Sequence, residues 1–201
     1  MHHKPLFITG IGTGIGKTIV SAILVESLKA DYWKPIQSGD LENSDTLKVK
    51  ELVSNTKSIF HPEAYRLTQP YSPHKSAALD GIRIDPLTIA KPCTDNQLVI
   101  EGAGGLMVPL NEDFLMIDLI QQLNTEVVLI VKHYLGSINH TLLSLDALKS
   151  RNIPLKAIIF NGDSDEWSES VITGYAKCKT IIIPAINDIN KQNIARIKID
   201  L

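Results

Sequence analysis

The sequence predicts an α/β fold: a doubly wound, mainly parallel sheet with helices on both faces. Two observations predict it. Short, continuously apolar runs recur along the chain, as strands buried on both faces must read, and segments with helical spacing lie between several of them. Strands alternating with crossover helices form a parallel sheet.

In chain order the strand candidates are "PLFITG" (5–10), "YWKPI" (32–36), "QLVIEG" (97–102), "VVLIV" (127–131), "LKAIIFN" (155–161) and "TIIIP" (180–184). Val20, Ile23, Leu24 and Leu28 mark one helical stripe, Leu47, Leu52 and Val53 a weaker one, and Leu142, Leu145 and Leu148 another. Residues 62–92 are rich in proline and poor in periodic positions, so that span reads mostly as loop, with one short helix near 75–79. No internal repeat or domain boundary stands out, and residues 1–201 read as one domain.

Bulk properties exclude several classes. A formal charge of -2 argues against nucleic acid or an anionic membrane as the main partner, and no run approaches the length of a membrane-spanning helix. Cys93 and Cys178 lack ligand-like spacing, and no charged-then-apolar leader precedes the first strand, so a reduced, cytoplasmic setting is expected. His2 and His3 are adjacent near a chain end and receive no role.

In folds of this class ligands gather at the carboxyl ends of the strands. After the first run comes "TGIGTGIGKT" (9–18), which ends in Gly-Lys-Thr as a phosphate-binding loop does but is one residue longer than the usual spacing. A plain glycine turn capping a helix is the bland alternative. The strand before it, the amphipathic helix after it and the register of Lys17 and Thr18 favour phosphate, making the fold P-loop NTPase-like. Backbone N–H groups over Gly12, Thr13, Gly14, Ile15, Gly16, Lys17, Thr18 and Ile19 are the expected phosphate contacts. The Lys17 side chain would reach the terminal phosphates and the Thr18 hydroxyl magnesium.

The second run leads to "WKPIQSG", where Lys34 taken alone reads as a solvated lysine. In "ENSDTLKVKEL" any of Asn43, Ser44 and Asp45 could cap the following helix, and a cap is the better reading of Asp45 in isolation. The third run ends in "VIEGAGG", placing Glu101 at a strand end before Gly102, Ala103 and Gly104. A carboxylate there can hold magnesium or its water, the alternative being an exposed end residue.

Taken in order, the stretched loop, "KPIQSG", "NSD", "SPHKSA", "EGAGG" and "LGSINH" resemble the dethiobiotin synthetase family, in patches from Thr9 to Pro184. The resemblance implies an ATP- and Mg2+-dependent ligase that joins diaminopelargonic acid and carbon dioxide (or bicarbonate) into a cyclic urea, releasing ADP and phosphate. It assigns catalysis to Lys17 and Lys34 and the metal to Thr18, Asp45 and Glu101. ATP would be held by the loop with Asp45, Glu101, Gly102, Ala103 and Gly104, and its base by Asn161, Gly162 and Pro184. Substrate would meet Thr13 and Ser38, together with Gly136, Ser137, Ile138 and Asn139 serving the neighbouring subunit of a homodimer. These four precede the Leu142 helix, where N–H groups suit a carboxylate; a helix cap at Ser137 is the alternative. His74 and His140 are read as structural, since neither shows an acid partner.

The chain departs from the family pattern at Gly12 and Gly14, where acidic residues are frequent, at Ile181, in place of a glycine three residues before Pro184, and in the short tail "DINKQNIARIKIDL". Loose base selectivity is the expected consequence. Three other readings compete. A partitioning or septum-placement ATPase carries a lysine near the loop start, where this chain has Gly10, Ile11 and Gly12. A CobQ-type synthetase needs a glutaminase domain that 201 residues cannot also hold, and a noncatalytic relative would not need both lysines and both carboxylates.

Overall fold

The computed structural model describes residues 4–201, so His2 and His3 lie outside the described residues. The chain runs β1 (Leu6–Gly10), α1 (Lys17–Leu28), β2 (Asp31–Trp33), β3 (Ile36–Ser38), α2 (Asp45–Leu52), β4 (Phe60–His61), β5 (Tyr65–Leu67) and α3 (Pro73–Leu79). It continues through β6 (Leu98–Gly105), α4 (Met116–Gln122), β7 (Glu126–Val131), α5 (Ser137–Ser150), β8 (Leu155–Asn161), α6 (Glu166–Ala176), β9 (Lys179–Ile183) and α7 (Lys191–Arg196). Seven strands form one sheet in the order β4-β2-β6-β1-β7-β8-β9, every pair parallel, as the apolar runs predict.

Side chains alternate across this sheet between two cores. Phe7, Ile100, Leu129 and Phe160 face one, under α3, α4, α5 and α6; Ile8, Val99, Val128 and Ile159 face the other, under α1, α2 and α7. Both faces are covered, which is why these strands lack a polar alternate. On α2 the core position is Val49; Leu47, expected on the buried stripe, is exposed instead.

The run 32–36 is two strands rather than one. β2 belongs to the large sheet, whereas β3 pairs in parallel with β5 in a second, two-stranded sheet. Pro35 stands at the break: it has no N–H to donate to a ladder, and its carbonyl accepts from Ala64 and Tyr65 at 2.9 and 3.0 Å. β5 lies in the span read as loop, and α3 begins at Pro73, two residues before the expected helix. Among the described residues no helix is long and apolar enough to cross a membrane.

Candidate active site

β2, β6 and β1 are neighbours in the sheet, so their carboxyl ends open side by side, and each delivers a different group to one place. From β1 the chain enters the glycine loop and then α1. Gly16, just before the helix, has φ of 89°, and a Cβ there would stand 2.2 Å from Asn161 Nδ2. Glycine alone satisfies both constraints. Lys17, the first residue of α1, folds its side chain back so that Nζ donates to the Gly12 carbonyl at 2.9 Å.

From β2 comes Lys34 and from β6 Glu101, only 4% and 1% exposed. Lys34 Nζ donates to Asp45 Oδ2 at 2.5 Å, to Glu101 Oε1 at 3.1 Å and to the Gly102 carbonyl at 3.3 Å. Thr18 Oγ1 lies 3.1 Å from Asp45 Oδ1 and 3.0 Å from Glu101 Oε1. Asp45 is therefore not the cap of α2. Ser44 is, its hydroxyl accepting from the Leu47 amide at 3.4 Å, and this leaves the Asp45 carboxylate to turn towards Lys34. Gln37 fixes the backbone there, its Oε1 accepting from the Asp45 amide at 3.2 Å.

The charges tune one another. Burial pushes the Lys17 ammonium down to about 8, with the nearby Lys34 charge acting in the same direction against Glu101 and Asp45. Burial also pulls at Lys34, but Glu101 and Asp45 outweigh it and hold Lys34 above the ordinary lysine value. Burial disfavours the Asp45 charge, and Lys34 more than offsets it, keeping this carboxyl below its usual range. Lys34 is thus held as a fixed cation, whereas burial weakens the hold of Lys17 on its proton.

These groups line a cleft of about 710 Å³. Of the expected residues, Thr13, Gly14, Gly16, Lys17, Thr18, Ile19, Lys34, Ser38, Asp45, Glu101, Ala103 and Gly104 line it. Ser38 Oγ is buried and has no hydrogen-bond partner among the described residues. Gly12 and Gly102 support the cleft by accepting from the two lysines, and Ile15 is buried beneath the loop. "SPHKSA" enters through Ser72 and Pro73. Gln37, inside "KPIQSG" but given no role there, and Tyr71 and Val108, outside every motif, also line the cleft. The donor set of two carboxylates and a hydroxyl, all oxygen, can hold a hard divalent cation that keeps water and shares phosphate oxygens. Among the described residues no group of three or more His, Cys, Asp or Glu side chains forms a closed metal cage.

The remaining expected residues stand apart. Asn161 ends β8 with its Nδ2 donating to the Ile15 carbonyl at 2.8 Å, so its amide braces the phosphate loop. Gly162 N–H donates to the Ile183 carbonyl at 2.9 Å, and Pro184 follows β9 exposed. Ile181 is partly buried, packed on the α1-side core. Gly136, Ser137, Ile138 and Asn139 are not among the residues lining the cleft. The cap of α5 is Gly136, with φ of 102°; Ser137 is already inside the helix, and its N–H is taken by the Tyr134 carbonyl at 2.9 Å. His140 has a partner of another kind, its Nδ1 lying 2.8 Å from the Tyr134 hydroxyl. His133 pairs with Glu169 at 3.1 Å and stacks on Phe160.

Comparison with known proteins places this geometry in context. The AAA domain family matches residues 4–193. An ATP-dependent dethiobiotin synthetase of Christiangramia forsetii is 57% identical over 178 residues, covering 89% of this chain and 86% of that one. That of Cytophaga hutchinsonii is 52% identical, covering 86% and 85%. Among solved structures, a MinC:MinD cell division complex of Aquifex aeolicus aligns with a TM-score of 0.56 at 14% identity, over 96% of this chain and 86% of that one. A ParA family ATPase of Chlorobium tepidum aligns with 0.55 at 14% identity, over 94% and 86%. At that identity the likeness is one of fold alone.

Proposed function

Because the chain belongs to the ATP-dependent dethiobiotin synthetase family and is an ATP-dependent ligase of biotin synthesis, we propose that it carboxylates diaminopelargonic acid and closes the ring of dethiobiotin. The observation that carries this reading is the convergence of Lys17, Thr18, Lys34 and Glu101 from three adjacent strand ends, and of Asp45 from the start of α2, into one cleft. One amine of the substrate adds to carbon dioxide, losing a proton, to give a carbamate. A carbamate oxygen then attacks the γ-phosphorus of ATP and the bond to ADP breaks, giving a carbamic-phosphoric anhydride. The second amine attacks the carbonyl carbon and loses a proton, and the carbon–oxygen bond to phosphate breaks as the ring closes.

The difficult step joins two anions, and this chain supplies fixed positive charge for it. Lys34 is held by two carboxylates in an orientation it keeps before substrate arrives, the preorganisation that stabilises charge in a transition state. Lys17 supports the terminal phosphates from within the loop. Thr18, Asp45 and Glu101 would hold magnesium, which when bound neutralises phosphate charge. Ser38, with its free buried hydroxyl, and Thr13 would orient the substrate, and holding both amines makes ring closure effectively unimolecular.

The start of α5 would serve a second copy of the chain. Ile138 and Asn139 lie in its first turn, where N–H groups have no intrahelical partner and suit the substrate carboxylate. Mixing Asn139→Ala with Lys17→Gln chains should restore activity in mixed dimers; no recovery despite demonstrated subunit exchange would place Asn139 elsewhere. The reaction itself is tested with Mg-ATP, bicarbonate and diaminopelargonic acid. The cyclic urea, identified by mass, should appear with substrate-dependent phosphate release. Phosphate release that ignores the diamine, with no cyclic product, would contradict the reading.

A further inference from the structure

The Glu101 carboxylate has two oxygens with different partners. Oε1 faces the cleft, 3.0 Å from Thr18 Oγ1 and 3.1 Å from Lys34 Nζ. Oε2 faces away from them and accepts from the Tyr32 hydroxyl at 2.9 Å, in a fully buried contact. The register makes this pairing inevitable. Tyr32 lies beside Val99 across β2 and β6, and alternation along a strand puts Glu101 on the same face as Val99, two residues nearer the cleft. The Tyr32 ring is packed in the α1-side core with Val49 and Val99 and tilts against Phe60, with centroids 6.1 Å apart, so the hydroxyl has little freedom to move away.

We propose that Tyr32 is a positioning residue for the metal and phosphate site: its hydroxyl holds the rear oxygen of Glu101 so that the front oxygen stays directed at Thr18. This rests on the reading of Glu101 as a carboxylate that holds the metal. Two features support it. Tyr32 donates the sole hydrogen bond to Oε2 among the described residues, and Glu101 is 1% exposed, so water cannot substitute for it. Finally, Lys34 and Thr18 both depend on the front oxygen, so a turned carboxylate would disturb both at once.

Tyr32→Phe keeps the ring and removes the hydroxyl. The probe is Mn2+, titrated into the enzyme with saturating ADP and followed by electron paramagnetic resonance, with ADP binding without metal measured alongside. Losing a partner that orients a metal-holding group costs roughly 10–100-fold in metal affinity. The expected result is a loss of that size for Mn2+ while metal-free ADP binding stays within a factor of about two, since the phosphate loop is untouched. A purely structural Tyr32 would move both together or neither, and either result overturns the proposal. Glu101→Gln separates the two levels: it should weaken Mn2+ at least as much. Normal Mn2+ binding in Glu101→Gln would overturn the underlying metal reading, whereas weak binding there beside normal binding in Tyr32→Phe would overturn the proposal alone.

Discussion

The tips of β2, β6 and β1 and the tips of β8 and β9 lie along the same edge of the sheet, yet they are built on different principles. At the first, buried charges hold one another: Lys34 against Asp45 and Glu101, and Thr18 between the two carboxylates. At the second, contacts are neutral: Asn161 on the Ile15 carbonyl and Gly162 on that of Ile183, with Pro184 exposed beyond them. Removing one member of a buried charged set leaves its partners unpaired at high cost, whereas a neutral hydrogen bond exchanged with water is worth little net. The tips of β2, β6 and β1, which we propose hold phosphate, should therefore be intolerant of change, and the tips of β8 and β9, which we propose hold the base, permissive.

The largest expected effect breaks the charged set. Lys34→Gln should cut turnover about a hundredfold, equivalent to roughly 3 kcal/mol of transition-state stabilisation, and weaken ATP binding much less. Lys17→Gln should weaken nucleotide binding as well, because its phosphate partners exist in the ground state. Turnover and equilibrium binding of ATP, measured on both variants, check this; near-normal turnover in Lys34→Gln removes it from the mechanism.

A smaller effect is expected from pH. Phosphates bind the protonated form of Lys17, and in the free protein that proton is lost near pH 8. Nucleotide affinity should fall about tenfold between pH 7 and pH 9, with proton uptake on binding. Folding stability should respond oppositely. The folded pKa is about 8 and the ordinary value 10.5, so between them the unfolded chain binds more protons and the Lys17 contribution to stability rises with pH. Calorimetric titration of ADP in buffers of different ionisation enthalpy would detect the proton; pH-independent affinity would mean that Lys17 stays charged.

The smallest effect belongs to the base end. ATP should be preferred over CTP or GTP by only about fivefold to tenfold in kcat/KM, since a solvent-exchanged hydrogen bond nets about 1 kcal/mol. A preference of a thousandfold would mean a closed adenine pocket and erase the contrast. Ile181 is partly buried against the core beside these neutral contacts of Asn161.

How much was legible follows the same division. The glycine loop, Lys34 and Glu101 each follow an apolar run, and contiguous motifs survive being read one residue after another. Asp45 was ambiguous because Ser44 and Asp45 are both good caps; only the fold shows that Ser44 takes that role. β4 and β5, two and three residues long, are too short to show a period. Tyr32 inside an apolar run reads as core, and it is core; its second role depends on a carboxylate 69 residues away. A cap at Ser137, the alternative to a substrate contact there, falls instead to Gly136, because its left-handed turn is a property of the backbone.

The most direct test of the central claim follows one oxygen atom. With 18O-labelled bicarbonate, the carbamate oxygen that attacks ATP stays on phosphorus when the ring closes, so at short reaction times the released phosphate should carry one 18O per dethiobiotin formed. Mass spectrometry of the phosphate reads this directly. Dethiobiotin formed with unlabelled phosphate, under conditions where the bicarbonate label persists, would contradict the anhydride route.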